Sequence, residues 1–293
     1  MRRALVFGGS GQIGRPLLAR LHEAGWDTVA VSRRPRADGP LLHWLQGGFD
    51  ALPALPARVE AIFSCGPLDR FAQWYQAAAI EAPRVVAFGS TSVEVKRTSP
   101  DAAERDLARR LEAGEAGVFA AARQRAAAAT VLRPTLVYGL GADRTLSRIA
   151  RLARRWRRFP LPSDATGLRQ PVHVADLAAA ALAACGSAAA HGRSYALPGG
   201  ETLAYREMVA RVLAVLDPPG RVLELPAPLF RALLAGAQAL GVARGLGGAA
   251  LARMREDLVF DDAPARRDFG YAPRPFVPTA EMFRDDAPQS ALP

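Results

Sequence analysis

The residues whose types and spacing are most specific lie near the start. Gly8-Gly9-Ser10-Gly11-Gln12-Ile13-Gly14 follows a short apolar run and opens a stretch with apolar residues at helical spacing. The block satisfies both G-x-x-G-x-x-G and G-x-G-x-x-G, and the order strand, glycine turn, helix is the context in which such a pattern carries chemistry. Glycines let a pyrophosphate approach backbone N–H groups at the positive end of a helix, and Gly14 lets helix and sheet pack closely. All seven residues from Gly8 to Gly14 are candidate contacts of a dinucleotide. Such sites carry Asp or Glu at the end of the second strand when they bind the ribose hydroxyls of NAD. Here that end reads Ser32-Arg33-Arg34. A carboxylate repels a 2′-phosphate, whereas a hydroxyl and guanidinium groups bind one, so the expected cofactor is NADP(H) in preference to NAD(H).

Other chemistries find no matching pattern. Cys65 and Cys185 are the only cysteines, and His22, His43, His173 and His191 are scattered, so neither a disulfide framework nor a metal site is expected. No nucleophile elbow or Walker-type loop is present. The formal charge of +10 is carried almost entirely by arginine, because Lys96 is the sole lysine. Basic charge alone is not a fold argument, and the expected partner is a small-molecule substrate rather than nucleic acid. Arg148, Arg151, Arg154, Arg155, Arg157 and Arg158 are interleaved with apolar residues in a basic amphipathic stretch. That stretch reads as a solvated helix face beside a cleft, with a phosphorylated substrate or an acidic membrane as alternatives.

The elements that must position the loop alternate. Strands are expected at 4–7, 28–31, 41–45, 59–65, 84–88 and 130–133, with helices at 13–24, 70–80 and 102–113, the last opened by Ser99-Pro100-Asp101. This order predicts an α/β fold: a doubly wound parallel sheet of the Rossmann type with a smaller carboxy-terminal substrate lobe. Beyond Tyr138 a helix is expected at 146–158, another after Asp176, a strand at 194–197 and a helix at 205–216, broken by Pro218-Pro219-Gly220. The nucleotide domain is placed at 1–200, with an excursion near 139–170 into the substrate lobe at 201–293. Arg231 and Arg244 interrupt the Leu- and Ala-rich segment 229–251, which reads as a buried helix or helix pair rather than a membrane span. The apolar run after Met1-Arg2-Arg3 is too short for a signal peptide, so a cytoplasmic monomer or homodimer is expected.

Further blocks make the chain resemble the extended short-chain dehydrogenase/reductase superfamily, in its NAD-dependent epimerase/dehydratase group. They are Phe88-Gly89-Ser90-Thr91-Ser92-Val93, Leu132-Arg133-Pro134-Thr135-Leu136-Val137-Tyr138-Gly139, Pro171-Val172-His173-Val174-Ala175-Asp176-Leu177-Ala178 and Tyr195-Ala196-Leu197-Pro198-Gly199-Gly200. The resemblance implies that Gly8, Gly11 and Gly14 hold pyrophosphate, that Cys65 and Gly66 line the cofactor, and that Pro134 lies near the nicotinamide. It also implies that Thr91 orients a substrate oxygen. Arg169 enters the block that turns back towards the cleft and is the candidate for substrate contact.

The sequence departs from that family in two places. The Tyr-x-x-x-Lys pair that moves the proton and holds the ribose is absent: no tyrosine occurs between Tyr75 and Tyr138, and Lys96 has Ser92 four residues before it. Arg110 is no simple replacement, because its planar fork is shaped differently. A bound water or a non-standard side chain must supply the proton. Glu104, Asp106, Glu112 and Glu115 read as the solvated face of their helix. Gly48 stands where an adenine-contacting aspartate is common. Two functions remain open: an atypical reductase or epimerase-like enzyme acting on a small carbonyl or hydroxyl compound, and a non-catalytic NADP(H)-binding redox sensor or assembly factor.

Overall fold

The computed structural model describes residues 2–143, 145–239 and 248–283. Its centre is a seven-stranded sheet in the order β11-β6-β5-β4-β1-β2-β3, every neighbouring pair parallel. The strands are β1 (Arg3–Phe7), β2 (Asp27–Ser32), β3 (Leu42–Gln46), β4 (Ala61–Ser64), β5 (Arg84–Phe88), β6 (Ala128–Pro134) and β11 (Arg193–Leu197). β1, β4 and β5 are almost continuously apolar because helices cover both of their faces. β3, at the sheet edge, is buried on alternate residues at most. The strand order reverses between β1 and β4, which is where open α/β sheets leave a crevice beyond the strand ends.

α1 (Gly14–Glu23) and α6 (Val174–Gly186) cover one face, with Leu17, Leu21, Leu177 and Ala181 in a shared core. α2 (Leu68–Ala77) and α4 (Ala102–Gln124) cover the other, around Phe7, Phe71, Tyr75 and Val118. α4 runs eleven residues beyond the expected 102–113. Gly114 and Gly117 do not stop it; they let it lie close against α2, where an added Cβ would sit 3.1 Å from Leu68 and 2.7 Å from Gln76.

A separate core gathers Tyr138, Ile149, Leu161, Met208, Leu213 and Phe276. It is built by α5 (Leu146–Trp156) and α7 (Tyr205–Ala214), with three strand pairs beside them: β7 (Val137–Tyr138) with β10 (Val172–His173), β9 (Leu168–Arg169) with β12 (Leu203–Ala204), and β8 (Arg158–Pro162) with β13 (Arg221–Leu225). α10 (Ala263–Phe269) then leads into a segment tied back to the sheet side. Tyr271 donates to the Pro198 carbonyl at 2.7 Å, and Arg274 Nε donates to buried Asp176 at 2.8 Å.

α3 (Ser92–Val95), α8 (Ala227–Ala239) and α9 (Gly248–Arg253) complete the helices that concern the site. The expected buried segment at 229–251 corresponds to α8 and α9, with 240–247 outside the described residues. α8 is not a buried helix: Phe230 and Leu234 pack inward, while Leu229 and Leu233 are exposed, because only one side of the helix meets protein. Among the described residues no helix is long and apolar enough to cross a membrane.

Candidate active site

The carboxyl ends of β1, β2, β4, β5 and β6 bring most of the expected residues to one edge of the sheet. Gly8 has φ +72°, and a Cβ there would come within 2.9–3.0 Å of the Cys65 and Gly66 backbone, so the glycine loop and the end of β4 are pressed together. Gly11 N donates to Gly8 O at 2.9 Å to close the turn. At Gly14 a Cβ would stand 2.2 Å from Gly8 O and 2.6 Å from Gly9 Cα, a distance no side chain tolerates. Helix α1 begins at Ile13 with no side-chain cap and no acidic residue in its first turn. In that first turn Arg15 N donates to Gly11 O at 3.0 Å and Pro16 has no N–H, so the N–H of Gly14 is the one left to face an anion at this helix end. Ser64 Oγ, under the same edge, and Gln12 Oε1, within the loop, are buried without a hydrogen-bond partner among the described residues. Glycine cradle, uncapped helix and unpaired polar atoms together fit a dinucleotide. Cys65 contributes wall rather than charge: burial pushes its thiol up to about 12.

At the end of β2, Ser32 is buried and its Oγ accepts from Arg34 N at 3.3 Å, while Arg33 and Arg34 are exposed. Gly48 lies beside Arg33 here, and Phe49, which belongs to none of the motif blocks, lies beside Gly66. A Cβ on Gly48 would lie 3.3 Å from the Arg33 stem, and one on Gly66 would lie 3.3 Å from the Phe49 ring. Gly48 is therefore the residue that lets Arg33 lie across the turn after β3. The signal was present as Gly47-Gly48-Phe49, a small-small-aromatic step directly after a strand.

Thr91 caps α3 and is buried; its Oγ1 donates to the Pro134 carbonyl at 3.3 Å, which joins the ends of β5 and β6. From Ser90, Thr91 and Ser92 a cavity of about 760 Å³ extends between the sheet edge and the second core. Its walls are largely apolar. Ile149, Leu152 and Trp156 come from α5, Phe230, Leu233 and Leu234 from α8, and Met254, Leu258 and Phe260 from the segment after α9. The arginine stretch of α5 is correspondingly more than a solvated face. Ile149, Ala150 and Ala153 pack into the core, and this rotation turns Arg148 and Arg155 to the cavity, where Arg158 joins them.

Lys96 and Arg253 line the same cavity and share one carboxylate. Lys96 Nζ lies 3.5 Å from Glu104 Oε1, Arg253 NH1 bonds Glu104 Oε2, and Ser99 Oγ donates to Oε2 at 2.7 Å. Burial works against the charge of Glu104, but the hydrogen bonds from Arg253 and Ser99 and the charges of Arg253 and Lys96 outweigh it and hold its pKa below the ordinary value. Arg169 is in the wall too. Its guanidinium is buried and donates to the carbonyls of Leu168 (2.6 Å), Glu256 (2.8 Å) and Arg253, and it lies 5.3 Å from the centre of the Tyr205 ring.

The carboxylates of α4 divide. Asp106 and Glu112 meet surface arginines, as a solvated face does. Glu104 and Glu115 depart from that expectation because Glu104 turns towards the ends of α3 and α9 and Glu115 towards the sheet. Glu115 is buried and takes two hydrogen bonds from Arg133, at 2.8 and 2.5 Å, and one from Ser194 at 3.0 Å. It braces β6 and β11 rather than meeting a substrate. His173 caps α6 by accepting from Ala175 N at 3.2 Å, and stacks edge-on to Tyr138 at 5.1 Å. Burial pushes the Tyr138 phenol up to about 12, which leaves it protonated. Among the described residues no cluster of three metal-ligating side chains exists.

Residues 75–197 match the NAD dependent epimerase/dehydratase family. That match covers 123 of the 293 residues. It is 28% identical to the 2-alkyl-3-oxoalkanoate reductase of Stenotrophomonas maltophilia, over 93% of this chain and 95% of that protein. Among solved structures it resembles the terminal R domain of the myxalamid PKS-NRPS biosynthetic pathway (TM-score 0.73, 16% identity, 96% of this chain and 88% of that one). It also resembles UDP-glucuronic acid 4-epimerase from Bacillus cereus, solved in complex with NAD (TM-score 0.69, 11% identity, 97% and 95% covered). These likenesses show the fold: the α/β arrangement of this chain is shared, over nearly its whole length, with those two structures.

Proposed function

We propose that this chain is a nicotinamide-dependent reductase of a carbonyl group carried on an apolar substrate. The observation that carries the reading is the cavity of about 760 Å³ that starts at Thr91 and is walled by Trp156, Phe230, Leu234 and Phe260. A polar sugar nucleotide gains little from such a wall, whereas an alkyl chain gains about 25 cal/mol for each Å² it removes from water. The Stenotrophomonas relative is named for a substrate that combines a carbonyl with alkyl chains, and the wall suits that class.

In this reading residues 1–200, less the excursion at 139–170, hold the cofactor, and the excursion with 201–293 holds the substrate. Gly8 to Gly14 and the uncapped end of α1 bind the pyrophosphate. Cys65, Gly66 and Pro134 line the path to the nicotinamide, whose chemistry when bound is hydride exchange. Thr91 orients the substrate oxygen by exchanging its bond to the Pro134 carbonyl for one to the substrate. The Tyr-x-x-x-Lys pair being absent, the proton comes from another group of the cavity wall. Lys96 and Tyr205 are the ionisable donors there that are not guanidinium groups; burial raises the pKa of the Tyr205 phenol and the charge of Arg169 opposes that rise. Arg169 itself shapes the substrate wall through the carbonyls it holds.

The finer cofactor reading is NADP(H). It rests on Ser32, Arg33 and Arg34 and on the lack of a carboxylate at the end of β2. Structural neighbours solved with NAD argue for the other choice, and titration of both cofactors decides: equal affinity removes the role given to Arg33 and Arg34. The enzymatic reading is tested by following NADPH absorbance with medium-chain 3-oxo acids and aldehydes. Steady oxidation, reduced about 100-fold in Thr91→Ala with nucleotide affinity retained, supports it. A second reading, a dinucleotide-binding protein without turnover, is favoured by the missing Tyr–Lys pair and follows if no carbonyl compound oxidises NADPH.

A further inference from the structure

The charged groups of the cavity are unevenly balanced. Lys96 and Arg253 converge on the single carboxylate of Glu104, and Arg169 is buried beside them with carbonyl oxygens as its hydrogen-bond partners among the described residues. Lys96, Arg169 and Arg253 therefore gather around Glu104 in one part of the cavity wall, with Asp257 and Glu256 also acting on Arg169, while Arg148, Arg155 and Arg158 add positive charge elsewhere in a wall that is otherwise mostly apolar. The Arg253 carbonyl accepts from Arg169, so two of the cations are mechanically joined. Lys96 follows Ser92 by one helical turn, its N–H donating to the Ser92 carbonyl at 3.0 Å, so the cationic end adjoins the Thr91 end. Buried positive charge of this kind is costly unless an anion compensates it. From α5 and α8 the cavity wall takes Leu152, Trp156 and Leu233, all exposed.

Resting on the reading of the cavity as the substrate site, we propose that it takes an amphiphilic carboxylate. The head is held by Lys96 and Arg253, with Arg169 behind them, and the alkyl chain runs along the trough between α5 and α8. Glu104 keeps the two cations apart and oriented while the site is empty. On entry of the substrate anion the pair becomes evenly compensated, and a carbonyl placed a few bonds from the carboxylate falls beside Thr91. Lys96 and Arg253 are specificity residues: they select the anionic amphiphile over a neutral one of equal length.

The test is calorimetric titration of the full chain with dodecanoate, dodecanol and butanoate, with no nicotinamide present. Dodecanoate is expected to bind at least tenfold more tightly than either of the others. Lys96→Gln and Arg253→Gln should each weaken dodecanoate about tenfold and leave dodecanol within twofold. Glu104→Gln removes the competing negative charge and should leave dodecanoate binding unchanged or tighter. Equal binding of dodecanoate and dodecanol overturns the proposal. So does a Glu104→Gln protein that loses dodecanoate as the cation variants do, since that marks the cluster as a structural clamp only. Should Arg253→Gln not fold, Lys96→Gln and Glu104→Gln decide. Selective dodecanoate binding by a protein that reduces no carbonyl overturns the reductase reading alone. Reduction of neutral carbonyls without anion selectivity overturns this proposal alone.

Discussion

Gly14→Ala is the perturbation whose consequence can be worked furthest from the structure. Gly14 is the first residue of α1 and has no positive φ, so alanine is conformationally welcome there and the whole effect is steric. The new Cβ would stand 2.2 Å from Gly8 O, 2.6 Å from Gly9 Cα and 2.8 Å from Gly9 C, all of them main-chain atoms that cannot rotate away. Restoring ordinary contact requires the helix start and the loop to part by roughly 1 Å, at an overpacking cost near the upper end of about 1–3 kcal/mol. For a chain of this size about 3 kcal/mol corresponds to a fall in Tm of roughly 5 °C. The same displacement moves the N–H groups that face the pyrophosphate, and a loss of about 2.7 kcal/mol there is roughly 100-fold in Kd. Gly11→Ala is the internal comparison, since its Cβ meets only Gly8 O, at 3.1 Å, and a shift of a few tenths of an ångström absorbs it. Thermal unfolding and calorimetric titration with NADPH measure both variants. A Gly14→Ala protein that binds NADPH as tightly as the parent, or that is hurt less than Gly11→Ala, refutes the packing argument.

Three more outcomes follow from the same geometry. Arg133→Met leaves buried Glu115 without its two-pronged partner and should cost about 3–5 kcal/mol in urea unfolding; a loss below 1 kcal/mol would show that the pair does not brace β6 and β11. His173 is held below its ordinary 6.5, first by burial and then by Arg274, with Asp176 opposing. The unfolded chain therefore takes up a proton below pH 6.5 that the folded chain still refuses, so this contribution is complete above pH 6.5 and is lost as the pH falls. His173→Gln should flatten the urea midpoint between pH 7 and 5, and an unchanged slope would contradict that. Burial pushes Cys65 up to about 12 and Cys185 up to about 11, so neither thiol should be alkylated by iodoacetamide at pH 8 before the chain unfolds; rapid labelling of the native protein would contradict it.

What could be read from the sequence was whatever local chemistry dictates. The glycine loop, the six strands with their apolar runs and the helix openings at Gly14 and Ala102 each follow from short-range rules, and the structure holds them within a few residues. Glu104 and Glu115 illustrate what could not be read. Both sit on a helix rich in charge, and only the packing of α4 against α2 and the sheet turns these two inward and leaves Asp106 outside. Lys96 was visible as a lysine in an unexpected place, but its meeting with Arg253 across Glu104 joins segments far apart in the chain, which no periodicity links. The arginines of α5 likewise changed meaning once α8 supplied the opposite wall, since the rotation of a helix is set by both surfaces it touches. Gly48 and Phe49 carried a local signal, but their value depended on where the Arg33 stem lies.

The proposed function turns on hydride exchange between a nicotinamide held by the glycine loop and a carbonyl held at Thr91. The direct measurement is mass spectrometry of the product formed from a medium-chain 3-oxo acid with NADPH deuterated at the transferable C4 position. One deuterium at the former carbonyl carbon, absent from the Gly14→Ala and Thr91→Ala reactions, is the predicted result. Tight NADPH binding with no deuterium delivered to any carbonyl compound would contradict it.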